Sequence, residues 1–209
     1  MIGIVFSKHK LKIKICNEEV LGMSVDISEA TRKAKELYET IHDVKQSMIT
    51  GNVVTDLNRV IKELKIKVIG IDIEILRKKA KDTGTNLDED ISGFLLRANG
   101  RHTIFLNKND PVNRKRFTIA HEIGHLQLNH LESGEKASTI FRNSATSQGI
   151  DEKEIAANAF AAELLMPEDL VRYTYNFVKS VGGVARAFRV SESASRNRLK
   201  NLGVIDSGW

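Results

Sequence analysis

The 209-residue chain has one cysteine, Cys16, and only two prolines, Pro111 and Pro167. A lone cysteine excludes an internal disulfide. The opening Met1-Ile2-Gly3-Ile4-Val5-Phe6-Ser7-Lys8 lacks the basic start, long apolar stretch and small-residue cleavage site of a secretory leader, so the reading is a protein of the reducing cytoplasm. No apolar run approaches the ~20 residues that cross a bilayer, the longest being of the Ile2–Phe6 kind, which predicts a soluble chain with no membrane partner. Internal repeats and low-complexity tracts are missing too. With 41% apolar and 28% charged residues the composition excludes collagen-like and disordered classes. An ordinary globular protein of one or two domains is left.

Neither sign of charge dominates: 32 lysines and arginines face 27 aspartates and glutamates, a net of +5 with a pI near 9.3. That balance permits an acidic partner such as nucleic acid, but the basic residues are spread along the whole chain, as on any solvated surface.

Two short alternating stretches, Ile2 to Phe6 and Leu11 to Ile15, predict a small hairpin within residues 1–22. Ser28 as a cap, followed by Ala30, Ala34, Leu37, Tyr38, Ile41 and Val44 at helical spacing, predicts a helix over about 28–48. A second helix is read at 53–64 and a strand from Ile66 to Asp72. The polar tract Arg77–Asp90, with Gly84 and Asn86, reads as a loop or mobile insertion. Asn99-Gly100 between the apolar runs 91–97 and 101–107 is a strong hairpin signal, so a three-stranded sheet is expected. Asp110-Pro111 breaks the chain and Asn113 is placed to cap. Phe117, Ala120, Gly124, Leu128 and Leu131 then trace one face of a helix over 114–131. A polar stretch, 132–149, leads to an alanine-rich helix over 151–166 that Pro167 stops, and two or three more helices fill 168–204. The fold class is α+β.

The chemistry lies in His121-Glu122-Ile123-Gly124-His125. At ~100° and ~1.5 Å per residue the two histidines are offset by about 40° and 6 Å, so both imidazoles can converge on one ion. Glu122 is turned about 100° from His121, beside the ion and not on it. There it can take a proton from water and hand it to a leaving amine, a general base that becomes a general acid.

A hydrolytic zinc wants three protein ligands and one open position. A metzincin pattern fails, because Leu128 and Leu131 stand where it needs Gly and His, and His130 is one position short. Glu154 on the alanine-rich helix is an alternative. Asn158, one turn on, shares its face and can accept a hydrogen bond from the outer nitrogen of a ligand imidazole. Ala156, Ala157, Ala159, Ala161 and Ala162 remove bulk, so this helix can approach the first closely. Glu152, Glu163 and Glu135 compete for the same role.

The blocks Arg114 to His125 and Glu154 to Pro167 resemble the ImmA/IrrE family of metallopeptidases; with Ile91–Phe94 and Ile104–Asn107 the resemblance covers about residues 52–170. It implies a zincin-like core of the gluzincin kind: a small three-stranded sheet packed on the motif helix, then a helical C-terminal region. It implies Zn2+ held by His121, His125 and Glu154, with Glu122 as the catalytic glutamate. It implies a protein substrate as well, since such proteins are typically bacterial or mobile-element proteins that cleave or relieve a DNA-binding repressor, often one with a helix-turn-helix. The chain departs at Asn129, where members often carry a histidine, with His130 shifted by one. The expected organisation is an N-terminal extension of hairpin plus helix at 1–50, a peptidase domain at 51–170 and a helical, helix-turn-helix-like region at 171–209. An oxyanion donor opposite the metal is also expected, with Tyr173, Tyr175, His130 and His102 as candidates.

Val184 to Gly203 reads as helix, turn, helix, with Ser191 capping the second. Arg186, Arg189, Arg196, Arg198 and Lys200 against Glu192 could meet phosphates, although the simpler role is to pack beside the catalytic helices or hold the substrate. Three function classes follow. The leading one is a zinc endopeptidase of narrow specificity acting on a repressor or antitoxin-like protein. The others are a non-proteolytic anti-repressor that keeps the zinc fold and a DNA-binding regulator.

Overall fold

A computed structural model describes residues 17–82, 91–130, 137–140 and 152–206. Its sheet contains β1 (Lys67–Ile71), β2 (Gly93–Ala98), β3 (Arg101–Asn107) and β4 (Ala137–Ile140) in the order β1-β3-β2-β4. Asn99 and Gly100 both take positive φ, +51° and +71°, the pair of left-handed residues that a tight two-residue hairpin needs. They set β2 antiparallel to β3, with Leu95 opposite Ile104 and Phe94 opposite Phe105. The pleat buries Leu95 and Ile104, while Phe94 and Phe105 stack at 4.9 Å. β1 lies parallel to β3, Val68 opposite Ile104. The three expected strands thus form the sheet, and β4, from the stretch read as a polar connection, adds a fourth antiparallel to β2.

Helix α5 (Val112–Gln127) packs on β2 and β3, α6 (Glu152–Leu165) packs on α5, and α1 (Asn17–Ile41) packs on α6. In α1, Ala30, Ala34, Leu37, Tyr38 and Ile41 recur every three or four residues and are all buried, a stripe whose small residues match the alanines of α6. One buried cluster joins Tyr38, Ile104, Ile123, Phe160, Leu164, Phe188 and Leu199, so side chains from all three expected stretches of the chain share it. Beyond α6 follow α7 (Glu168–Val178), α8 (Val181–Phe188) and α9 (Glu192–Asn201); Pro167 sits at the N-cap of α7 and Ser191 caps α9 as read. No helix among the described residues is long and apolar enough to cross a membrane.

Five local readings are corrected. The 1–22 hairpin lies outside the described residues up to position 16, and from Asn17 the chain is already helical, so Ser28 is inside α1 and caps nothing. The helix read over 28–48 is two: it stops at Ile41, and Asp43 starts α2 (Val44–Thr50) by accepting the Gln46 N–H at 3.0 Å. The helix read at 53–64 is α3 (Leu57–Glu63), started by the Asp56 side chain. The tract from Arg77 begins inside α4 (Ile73–Asp82), a helix with Ile73 buried and Glu74 paired to Arg77 one turn on; residues 83–90 lie outside the described set. Asn113 is not the cap of α5, a place taken by Pro111, whose ring fixes φ at −58°; its side chain instead donates to the Val190 carbonyl at 3.1 Å.

Candidate metal centre

His121, Glu122 and His125 are buried in the C-terminal half of α5, at 2%, 5% and 1% exposure. Glu154 stands in the first turn of α6, where a carboxylate favours the positive end of the helix. The two helices meet backbone to backbone at Gly124. A Cβ there would lie 3.1 Å from the Ala157 carbonyl oxygen and 3.2 Å from Ala157 Cα and Phe160 Cβ, closer than side chains normally pack. The close approach brings the three predicted ligands together.

Nε2 of His121 and Nε2 of His125 are 3.0 Å apart. Glu154 spans them, with Oε2 at 3.3 Å from His121 and Oε1 at 3.1 Å from His125. One ligand atom from each lies within 4.8 Å of the others, so the group can hold a metal ion. Donors bound at ~2.0–2.1 Å to a tetrahedral ion lie about 3.3 Å from one another, so both spacing and donor chemistry fit zinc. Burial opposes ionisation of Glu154, but hydrogen bonds from His121 and His125 and their charges outweigh it and hold the carboxyl well below the usual carboxylate range.

The outer imidazole nitrogens are held as well. Nδ1 of His121 lies 3.0 Å from Oδ1 of Asn158, the partner anticipated one turn along α6 from Glu154. An amide oxygen only accepts, so this contact keeps a proton on Nδ1, and Nε2, which faces Glu154, is the nitrogen that can trade its proton for an ion. Nδ1 of His125 lies 2.9 Å from Nδ1 of His130. His130 gets there through the end of α5: Asn129 takes φ +56°, its N–H donates to Leu126 O at 3.2 Å, and the His130 N–H donates to His125 O at 3.0 Å. This is a Schellman end, and it folds the chain back so that His130 covers the ligand one turn below it. Sequence reasoning rejected His130 as a ligand and overlooked it as a neighbour of one. Asparagine at the helix exit was the signal.

A cleft of about 210 Å³ is lined by Ser92, Gly93, Arg114, Phe117, Thr118, His121 and Glu122. The proposed proton carrier and one ligand therefore face open space beside the start of β2. Of the competing glutamates, Glu163 pairs with Arg198 at the far end of α6, Glu152 is exposed outside the cluster, and Glu135 lies outside the described residues. Among the oxyanion candidates, the Tyr173 hydroxyl donates to Met48 O at 3.1 Å, Tyr175 lies under Lys179, and neither they nor His102 line the cleft.

The sequence profile of the IrrE N-terminal-like domain, a peptidase family, matches residues 66–200, which takes in the motif helix, the whole sheet and α6 to α9. The chain belongs to this family. A curated relative, the uncharacterized immunity region protein 2 of Bacillus phage phi105, is 35% identical over 86 residues. That alignment covers 41% of this chain and spans about half, 51%, of the relative.

Proposed function

We propose that this chain is a zinc-dependent endopeptidase of narrow specificity that cleaves or inactivates a DNA-binding repressor or antitoxin-like protein in the cytoplasm and so relieves repression. One observation carries the reading: in a member of a peptidase family, His121, His125 and Glu154 converge from two touching helices while Glu122 faces the adjoining cleft. The immunity-region name of the phage relative supports a repressor as the partner, one with a helix-turn-helix by family resemblance.

In this proposal His121, His125 and Glu154 hold the ion. Zinc bound there would acidify water and polarise a carbonyl. Glu122 takes the proton of the attacking water and delivers it to the nitrogen of the leaving amine. Its burial keeps competing water away, and its neighbouring position on α5 keeps it at the ligands without joining them. Asn158 and His130 orient the imidazoles.

The test is Glu122→Gln, which keeps size and removes the proton acceptor. The variant should retain zinc at the wild-type ratio by elemental analysis while turnover of the repressor falls by about 10²–10⁴-fold. Full derepression by the variant in cells would instead favour an anti-repressor that acts by contact.

A further inference from the structure

The C-terminal helices meet the motif helix on a side that the cleft does not reach. At ~100° per residue Arg116 lies about 160° round α5 from Arg114 and Thr118, which line the cleft, so it belongs to the opposite face. There Nη2 of Arg116 donates to the Thr55 carbonyl at 3.1 Å. Asn113, one turn earlier on α5, donates to the Val190 carbonyl at 3.1 Å. That bond pins the link Arg189-Val190-Ser191, which joins α8 to α9, beside Arg116. Arg189, next to the pinned residue, therefore faces Arg116 across a crevice between α5, the approach to α3 and this link.

The charge in that crevice is unbalanced. Among the described residues neither guanidinium is ion-paired with a carboxylate, and Nε of Arg116 is buried without a hydrogen-bond partner. The exposed Arg32 and Arg172, by contrast, each pair with a glutamate one turn away on their own helix. Burial, then the Arg189 charge, disfavour the charged form of Arg116, and the Asp56 charge offsets them only in part. Asp56 is already engaged, its Oδ1 accepting the Asn58 and Arg59 N–H groups at 3.0 and 3.2 Å. Two like charges held together with no acid between them cost stability until an anion joins them. A carboxylate carries one charge and saturates one planar fork, whereas a tetrahedral dianion offers oxygens and charge to both.

We propose that this crevice is a binding site for a phosphate dianion, free or as a monoester, held between Arg116 and Arg189. The site is separate from the cleft and does not depend on peptide hydrolysis. Because Arg116 stands on α5 and Arg189 on the link between α8 and α9, the bound dianion ties the C-terminal helix pair to the motif helix.

The test is isothermal titration calorimetry of the full chain with inorganic phosphate at pH 7.5 and constant ionic strength. The wild type should bind with a dissociation constant of about 1 mM or tighter, and phosphate should raise its Tm. Arg189→Gln should weaken binding at least about tenfold, the loss of a charge-assisted bond, and abolish the rise in Tm. In phosphate-free buffer the same variant should melt at or slightly above the wild-type temperature, because a like charge has gone. Arg116→Gln should weaken binding as much; Arg189 is exposed, so its variant carries the test if Arg116→Gln fails to fold. Arg32→Gln on α1 should bind as the wild type does. Tighter binding of phenyl phosphate than of inorganic phosphate marks a monoester as the ligand, and weaker binding marks free phosphate. No phosphate binding by the wild type, unchanged binding by Arg189→Gln, or equally tight binding of acetate or dimethyl phosphate would each overturn the proposal.

Discussion

Two glutamates on α6, one half-buried and one buried, have opposite fates. Glu154, in its first turn, faces two imidazoles and holds a side-chain exposure of 23%; Glu163, near its end, faces the Arg198 guanidinium and is 3% exposed. Arg198 also donates to Met166 O at 3.0 Å, and the Glu168 N–H reaches Glu163 at 3.3 Å, so this pair is satisfied by the protein itself. A guanidinium never gives up its proton, whereas an imidazole can exchange one for an ion. Burial of an acid therefore does not mark a site. A partner able to trade its proton does.

The comparison breaks first at Glu154→Ala. Zinc content by elemental analysis should fall from one per chain to almost none and peptide hydrolysis to background. The metal-free protein should change by no more than about 1 kcal/mol, roughly 2–4 °C in Tm, because Glu154 is only half-buried and its loss strands no permanently charged partner. Glu163→Ala should do the reverse. Leaving Arg198 buried without its carboxylate should cost about 3–5 kcal/mol, a Tm drop of roughly 6–20 °C, with zinc stoichiometry intact in the folded fraction. The double change Glu163→Met with Arg198→Met should recover most of that loss by calorimetry. If the two single variants gave the same melting temperature and the same zinc content, the distinction would fail.

A finer test lies one shell out. His130→Ala or Asn158→Ala should weaken zinc by about 10–100-fold in chelator competition, with Tm almost unchanged, since each orients a ligand without being one.

The smallest effect is on pH. Burial, then the nearby Arg59 charge, hold the His42 imidazole below its ordinary 6.5, against the Asp56 charge, and its Nε2 accepts the Asp56 N–H at 3.1 Å. Above pH 6.5 that bond is intact. Below it the unfolded chain takes up a proton that the folded chain resists, so stability falls until the folded pKa is passed. His42→Gln should shrink the Tm difference between pH 7.5 and pH 5.5; an unchanged difference would remove His42 as the cause.

What could be read ahead was whatever local sequence decides. The His121–His125 helix, the Asn99-Gly100 turn and the stop at Pro167 each depend on neighbours within a few residues, and the alanines of α6 announced a close helix partner. The Glu163–Arg198 pair joins residues on separate helices, and β4 is a strand because β2 has an edge to offer it. Neither leaves a periodic trace. The break at His42-Asp43 falls between: Asp43 is an ordinary capping residue, but the apolar pattern runs through it, and capping prevails over pattern there.

The contact at Gly124 has a further consequence. Main-chain atoms, and not interdigitated side chains, set how near α5 and α6 can come at the level of the ligands. Such a hard stop does not drift when the surrounding hydrophobic residues are exchanged. Related chains could therefore rebuild much of their interior, and with it their melting temperature, while the bite offered to the ion keeps the same width. Any side chain larger than hydrogen at position 124 would change that width before it changed anything else.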